Sequence, residues 1–319
     1  MAPGSRAMRA GPAPCGTAIG IDIGGTKIDI ALADHRGSIL KQVRLDTLAE
    51  RGPEQALRRL AGAVHELSRE SAISHGIRVS GRAAVCPGVV QDDRILLAPN
   101  LPGWETLALA RRLAEQLGID RIDVWNDVRA GAMAELRFGA LRNASPGLYV
   151  SLGTGLAAAL TVDGKVLDGA HRAAGEIGYL VPVGGAGAHV ADGAVPLEQL
   201  VGGKALARRA SAILGEVTDA SGLFSSPRPS ARRLVEETLE LLSIAIANLA
   251  VFADPQVIVI GGGMMASADV ILPALAERLK KVVPFPPDLV RAHFEESASL
   301  HGAIAIALDA SAGKAAPCS

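Results

Sequence analysis

Apolar residues near the start of the chain come in short runs separated by tight turns, which is the pattern of β-strands. Strands are predicted over residues 17–23 and 28–33, joined by the turn 24–27, and a third strand is predicted over 39–45. Two apolar runs joined by a glycine-containing turn favour an antiparallel hairpin. We therefore expect the first part of the chain to form an antiparallel meander.

The spacing of apolar positions changes to a helical period after Pro53 and then alternates between the two kinds of element. A helix opening at Pro53 is followed by a predicted strand over 78–86, a helix over 105–117, a strand over 121–125 and a helix over 126–138. This alternation is typical of an α/β fold.

The strand–turn–strand pattern then occurs a second time. Strands over 148–152 and 156–162 flank the turn 153–155, and the later elements are a helix over 230–253, a strand over 257–260 and a closing helix over 300–310. The repeated hairpin indicates a duplicated architecture, and 319 residues at about 150 per domain leave room for two α/β lobes with a cleft between them. Each lobe is expected to hold a mixed sheet, a meander plus parallel strands.

This organisation predicts where the lobes begin and end. We expect a mobile tail over residues 1–16, an N-terminal lobe over 17–125 plus 300–314, and a C-terminal lobe over 126–299.

Composition and charge exclude several classes of protein. The chain has 32 basic and 33 acidic residues, a net charge of −1 and no run of Lys or Arg, so no nucleic-acid partner is expected. The longest apolar stretch, 241–253, is interrupted by Ser243 and Asn248 and is too short to cross a bilayer, so no membrane span is expected. The three cysteines lack metal-ligand spacing and no secretory signal pattern is present, so we expect a cytoplasmic protein without a structural metal.

The two glycine-containing turns are candidate phosphate-binding sites. Glycine lets backbone N–H groups approach an anion closely, and Thr26 adds a hydroxyl donor. Asp22, just before the first turn, is placed to hold Mg²⁺ through water. The chain has neither the Walker nor the Rossmann glycine pattern, and an ordinary Gly-Gly hairpin is the alternative.

Two further motifs follow the ends of apolar strands. Asp127 is expected in the first turn of a helix, where the helix dipole keeps a carboxylate ionised and suited to take a proton from an alcohol. The alternative is that Asn126-Asp127 is only a helix cap. The glycines 261–263 leave bare backbone for a flat purine, or else form only a tight strand-to-helix connection.

As a set, these motifs resemble the ROK family of sugar kinases and repressors, within the hexokinase–actin–Hsp70 ATPase superfamily. The matching stretches are residues 20–27, Pro87-Gly88, residues 100–104, Asn126-Asp127, and residues 153–155, 174–178 and 254–263. The resemblance covers nearly the whole chain after residue 17. It implies the two-lobed, ribonuclease H-like fold of actin-like ATPases, with mixed sheets and an interlobe cleft.

The resemblance also implies a kinase that transfers the γ-phosphate of MgATP to the 6-hydroxyl of a glucose-like hexose, with Asp127 as the catalytic base. The residues implied in sugar binding are Gly88, Asn100, Asn126, Asp127, Glu176, Tyr179 and Glu198. Those implied in ATP binding are Asp22 (through Mg²⁺ and water), Gly24, Gly25, Thr26, Lys27, Gly153, Thr154, Gly155, Gly261, Gly262 and Gly263. A homodimer is implied as well.

The sequence departs from the family at its zinc site. Family members generally have Gly-Glu-Ile-Gly-His followed by a cysteine-rich loop, whereas here Tyr179 takes the histidine position and residues 180–198 contain no cysteine. His189 alone is not a zinc site, so we expect no zinc. The change points to an altered sugar preference, in which Glu176 or Glu198 pairs with the ammonium of an amino sugar such as kanosamine.

The alternative to a kinase is a non-catalytic sugar sensor of the ROK type. ROK repressors need a helix-turn-helix module before the first glycine turn, and the residues before Gly24 show no helical period and little basic charge. A DNA-binding role is therefore not expected, whereas a sensor without that module stays open.

Overall fold

A computed structural model describes residues 17–75, 78–182 and 190–312 of the protein. The predicted tail 1–16, residues 313–314 of the predicted N-terminal lobe, and His189 lie outside the described residues.

Strands and helices alternate along much of the described chain, as the apolar pattern predicts. The strands are β1 (Thr17–Ile23), β2 (Lys27–Ala33), β3 (Ile39–Asp46), β4 (Val79–Cys86), β5 (Val89–Val90), β6 (Ile95–Leu96), β7 (Asp123–Asn126), β8 (Gly147–Leu152), β9 (Leu156–Val162), β10 (Lys165–Val166), β11 (Val257–Gly261) and β12 (Asp288–Arg291). The helices are α1 (Pro53–His75), α2 (Leu109–Leu117), α3 (Asp127–Phe138), α4 (Glu198–Val201), α5 (Gly203–Leu214), α6 (Ala220–Ser225), α7 (Pro229–Ala253), α8 (Ala268–Val282) and α9 (Ala298–Ala312).

The strands form two five-stranded sheets with the same internal plan. The first has the order β3-β2-β1-β4-β7 and the second has the order β10-β9-β8-β11-β12. In each, three antiparallel strands are followed by two strands that run parallel to the third. The predicted duplication and the predicted mixed sheets are confirmed.

Polar and glycine residues collect at the carboxyl ends of the parallel strands. In the first sheet Asp22 at the end of β1 is opposite Val85, and Cys86 is opposite Asn126 at the end of β7. In the second sheet Ser151 near the end of β8 is opposite Gly261. Because parallel strands end at the same edge of a sheet, each sheet presents these residues and the following loops along one edge, a common position for ligand sites.

Helices cover both faces of each sheet. Large apolar side chains pack between the first sheet, α1 and α2, and a second such core lies between the second sheet, α5, α7 and α8. The remaining faces are covered by α9 on the first sheet and α3 on the second, through clusters rich in alanine. Helices α3 and α9 also pack against each other so closely that a Cβ on Gly302 would lie 2.0 Å from the Ala130 carbonyl oxygen.

One predicted helix boundary is wrong. The helix predicted over 105–117 begins at Leu109, because the carbonyl oxygen of Glu105 accepts a hydrogen bond from the Ile95 N–H at 3.2 Å and residues 101–107 form turns around the buried Trp104. Strand β12, at the edge of the second sheet, was not predicted.

No helix in the described parts of the chain combines the length and apolar character needed to cross a membrane. Helix α9 packs on β1 and β4, although it follows the second sheet in the chain. The division into two lobes at the stated residues stays a prediction.

The contact between α3 and α9 predicts that Gly302→Ala destabilises the protein. The added methyl group would meet backbone at Ala130 that has no room to move, so we expect the free energy of unfolding to fall by about 1–3 kcal/mol, measured by chemical denaturation. Gly62→Ala in α1 is the matched control, because a Cβ there meets nothing within 4 Å. That substitution is expected to raise the free energy of unfolding by about 0.5–1 kcal/mol, and equal effects at the two positions would contradict the close contact.

Candidate active site

Three adjoining cavities lie where the loops that follow the strands of the two sheets meet. The interlobe cavity, of about 520 Å³, includes Gly88, Asn100, Asn126, Asp127, Glu176 and Glu198 in its lining. The junction cavity, of about 340 Å³, is lined by residues that include Lys27, Asp127, Gly262, Gly263 and Ser299. The α5–α6 cavity, of about 460 Å³, lies beside α5, α6 and the short turn Gly263–Ser267. Gly153 and Thr154 line all three, so the second glycine turn is their meeting point.

Asn126 fixes the start of α3 and the neighbouring loop. Its side-chain oxygen accepts hydrogen bonds from the N–H groups of Val128 (2.9 Å) and Arg129 (3.0 Å), while its amide nitrogen donates to the Gly88 carbonyl at 2.9 Å. The capping role that sequence left as the alternative is therefore the one that Asn126 performs, and the residue still lines the interlobe cavity.

Asp127 is the first residue of α3 and lines both the interlobe and the junction cavity. Since Asn126 caps the helix, the Asp127 carboxylate is not used as the cap, and it accepts a hydrogen bond from the Val128 N–H at 2.9 Å. The pKa of Asp127 is raised to about 7, mainly by burial and further by the charges of Asp22 and Glu176, while the hydrogen bond from the Val128 N–H opposes the rise. A carboxylate with a pKa near neutrality at a cavity wall suits general-base catalysis.

Asp22 lies behind the junction cavity rather than in its lining. Its carboxylate accepts a hydrogen bond from the Ser299 hydroxyl, and Ser299 lines that cavity. Burial raises the pKa of Asp22, Asp29 opposite it on β2 adds to the rise, and Lys27 opposes it. A single carboxylate set back from the cavity fits an ion bound mainly through water and phosphate, as Mg²⁺ prefers.

The described residues contain no group of three or more His, Cys, Asp or Glu side chains placed to hold a metal ion by themselves. A magnesium ion at Asp22 would therefore depend on a bound ligand for most of its coordination.

The first glycine turn contributes less to the cavities than sequence predicted. Lys27 lines the junction cavity, but Gly24, Gly25 and Thr26 are not among the lining residues. A Cβ on Gly25 would lie 2.5 Å from the Asn100 carbonyl oxygen, so this glycine lets the first turn pack against the Asn100 loop.

Glycines of the second turn and of the third glycine motif fall into two groups. A Cβ on Gly155 would lie 2.2 Å from the Glu198 carboxylate, and Gly262 has a φ of 93° and lies against the Leu152 backbone, so packing requires glycine at both positions, although Gly155 also lines the interlobe cavity and Gly262 the junction cavity. In contrast, a Cβ on Gly153 would find no atom nearer than 3.9 Å, and one on Gly263 would find none within 4 Å. Both line cavities, and their missing side chains leave space for a ligand against bare backbone, as a nucleotide requires. Gly261 ends β11 against Tyr149 and is not in the cavity linings.

Two carboxylates stand together in the interlobe cavity. The Glu198 carboxylate accepts a hydrogen bond from the Leu156 N–H at 2.9 Å. Burial and the charge of Glu198 raise the pKa of Glu176, and Arg129, which is itself paired with Asp168, opposes the rise. Tyr179 is not in the lining, but burial and then the charges of both glutamates raise the pKa of its hydroxyl, so it lies near them.

Several residues around the cavities were not found from the sequence. Lys204 and Arg208 line the interlobe cavity from α5, and Ser299 lines the junction cavity at the start of α9. Two basic residues four apart on a helix share one face, so the spacing of Lys204 and Arg208 could have indicated a basic helix face from the sequence. No sequence pattern could have indicated Ser299, because it reaches Asp22 only through the packing of α9 on β1.

A comparison with family models identifies the chain. The model described as the ROK family matches residues 18–310. The chain belongs to the ROK family. This ROK chain is 31% identical over 276 residues to the N-acetylgalactosamine kinase AgaK of Shewanella sp. (strain ANA-3), which covers 82% of this chain and 86% of that protein.

Solved ROK structures share the fold. The ROK hexokinase from Thermus thermophilus superposes with a TM-score of 0.78 at 30% identity, covering 93% of this chain and 99% of that one. A ROK glucokinase from Streptomyces griseus, in complex with glucose and AMPPNP, superposes with a TM-score of 0.71 at 26% identity. The superposition covers 92% of this chain and 100% of that one. The predicted actin-like ATPase fold of this ROK chain is confirmed.

The raised pKa of Asp127 predicts how the stability of this ROK protein depends on pH. Between its ordinary pKa of 3.8 and about 7, the folded protein holds a proton that the unfolded chain has released, so stability falls as pH rises through this window. Asp127→Asn removes the carboxylate and is expected to raise Tm by at least about 2 °C at pH 8, with a smaller gain at pH 5. Thermal unfolding without magnesium measures this.

Asp120→Asn is the control for that measurement, because Asp120 is exposed and outside the three cavities. A Tm gain for Asp127→Asn that is the same at both pH values, or that Asp120→Asn reproduces, would contradict the buried-charge interpretation.

Proposed function

We propose that the protein is an ATP-dependent sugar kinase that transfers the γ-phosphate to the 6-hydroxyl of a hexose or aminohexose. The observation that carries this proposal is the position of Asp127, whose carboxylate has a pKa of about 7 and lines the interlobe and junction cavities where they meet Gly153 and Thr154. The kinase names of the ROK relatives support the reaction, and the AMPPNP complex of one of them supports ATP as the donor.

The proposed reaction places the acceptor in the interlobe cavity and the phosphates of the donor along Gly153 and Thr154, where the junction cavity meets the other two cavities. Asp127 takes the proton of the 6-hydroxyl, the hydroxyl oxygen bonds to the γ-phosphorus, and the bond from that phosphorus to the bridging oxygen breaks, so that ADP leaves with the electron pair. Magnesium, when bound, neutralises charge on the phosphates.

Residues of this chain supply the positioning. Gly153, Thr154 and Lys27 would lie beside the donor phosphates, Gly263 would lie beside the nucleoside in the α5–α6 cavity, and Asp22 with Ser299 would hold magnesium through water. The remaining residues of the three glycine motifs are proposed to shape the donor site: Gly24, Gly25, Thr26, Gly155, Gly261 and Gly262.

Sugar hydroxyls are proposed to bind the polar residues of the interlobe cavity. These are Asn100, Asn126, Glu176 and Glu198, with Gly88 also in the lining and Tyr179 near the glutamates. Amides and carboxylates form directional hydrogen bonds with sugar hydroxyls. A sugar that lacks the matching hydroxyl leaves a buried polar group of the protein unpaired, so such a sugar is strongly disfavoured as a substrate.

An amino sugar such as kanosamine is the finer form of the proposal. Burial and then the charge of Glu198 raise the pKa of Glu176, so the two carboxylates lie close together. A substrate ammonium beside them would offset the negative charge there and favour the ionised form of Glu176.

The homodimer also remains a proposal. Val251 and Phe252 of α7 are 56% and 87% exposed, and Phe252 lines an apolar groove with Leu180 and Val181. Burial of such a surface in a second copy would be favourable.

The role of Asp127 is tested by Asp127→Asn. Loss of a general base is expected to lower kcat by about 10²–10⁴-fold while leaving the sugar dissociation constant nearly unchanged. ADP release, followed in a coupled assay with a panel of sugars, measures turnover, and calorimetry measures sugar binding. An unchanged kcat would refute the role, and sugar binding by the wild type without ADP above background would favour the non-catalytic sensor.

The amino-sugar proposal is tested by Glu176→Gln. This change keeps the shape of the side chain and removes its charge, so the ratio of kcat/KM for kanosamine to that for glucose should fall by about 10–100-fold, the cost of losing a charged hydrogen bond. Steady-state kinetics with both sugars measures the ratio. A wild type that prefers glucose, with a ratio unchanged in Glu176→Gln, would contradict an amino-sugar substrate.

A further inference from the structure

Lys204 occupies a position shared by two of the three cavities. It is the second residue of α5, and it lines the interlobe cavity on one side and the α5–α6 cavity on the other. Among the described residues, only Gly153, Thr154 and Lys204 line both. Lys204 therefore lies beside the second glycine turn, between the proposed places of the acceptor and the nucleoside.

Backbone hydrogen bonds fasten Lys204 to that turn. The Lys204 N–H donates to the Thr154 carbonyl at 3.0 Å, and the Gly203 N–H donates to the Gly153 carbonyl at 2.9 Å. A Cβ on Gly203 would lie 2.6 Å from the same Gly153 oxygen, so the close approach requires glycine before the lysine. The position of Lys204 relative to Gly153 and Thr154 is consequently fixed, while its side chain is exposed and free to turn toward a ligand.

The charge of Lys204 is not neutralised within the described parts of the chain, where no carboxylate forms an ion pair with it. Arg209 on the same helix differs, since it is paired with Glu237 at 2.7 Å. The amino-terminal end of α5 adds a partial positive charge at the same place. An anion bound between the two cavities would therefore be attracted by the Lys204 ammonium and by the amino-terminal end of α5.

We infer that the Lys204 ammonium binds a non-bridging oxygen of the β- or γ-phosphate of the donor and stabilises the charge that develops there during transfer. This inference rests on the proposed function. Arg208, one turn further along α5, lines the interlobe cavity but not the α5–α6 cavity, so it is the less suited of the two to reach the donor. Lys204 keeps its proton throughout, and it acts by charge and position, as phosphoryl transfer requires.

The inference is tested with three variants. Lys204→Met keeps the length of the side chain and removes the charge, Lys204→Arg keeps the charge, and Arg208→Met removes a neighbouring charge on the same helix face. For Lys204→Met we expect AMPPNP to bind about 10–100-fold more weakly and kcat to fall by about 10²–10³-fold, with the KM for sugar changed little. Lys204→Arg should restore most of the affinity, and Arg208→Met should leave AMPPNP affinity within about threefold.

Two results would overturn the inference: AMPPNP affinity within threefold of wild type in Lys204→Met, or an equal loss in Arg208→Met, which would show general attraction rather than contact. Calorimetry with AMPPNP needs no turnover, so it decides the role of Lys204 even if the wild type releases no ADP with any sugar. Absence of ADP release would count against the proposed function alone.

Discussion

The hydrogen bonds of the Asn126 side chain hold the centre of this molecule in one geometry. Its oxygen caps α3, its amide nitrogen holds Gly88, and its backbone ends β7, so one residue joins a strand, a helix and a loop of the interlobe cavity. Because the cap is already supplied, the next residue is free for other chemistry. The position of the Asp127 carboxylate therefore depends on a neighbour that need not react.

The site concentrates negative charge where little water reaches it. Asp22, Asp127 and Glu176 all have raised pKa values, and burial is the largest cause in each case. Such an arrangement costs stability in the empty protein and favours ligands that bring positive charge or donate hydrogen bonds to the carboxylates. Close packing around the site offsets this cost in stability. Helices α3 and α9 approach backbone to backbone at Gly302, and the fully buried Glu135 carboxylate accepts hydrogen bonds from the N–H groups of Ala140 and Phe294.

Much of the fold followed from local patterns, and the exceptions have physical causes. The hairpins around residues 24–27 and 153–155 were predictable because strand period and glycine turns are local signals, and the duplication followed from them. The helix start at Leu109 was not, since the hydrogen bond that occupies the Glu105 carbonyl comes from Ile95, in a strand that the local pattern did not reveal. Tertiary contacts of this kind override local propensity.

Some residues of the candidate site could likewise be predicted from local motifs, and others could not. Asp127, Glu176 and Glu198 could be named from motifs, and the structure brings them into one cavity. Whether each glycine serves a ligand or only packing was not readable from sequence, because Gly153 and Gly155 differ only in what lies beside them. Ser299 and Lys204 join the site through α9 and α5, elements whose docking no motif records.

The equivalent order of the two sheets makes one difference between them consequential. Ser151 takes the place in β8 that Asp22 takes in β1, and Leu156 opens β9 where Lys27 opens β2. A linear ligand lying between identical halves would have two orientations of equal energy. Because Asp22 and Lys27 have no acidic or basic counterparts at these two positions of the second sheet, the two halves differ in charge and a linear ligand has one preferred orientation.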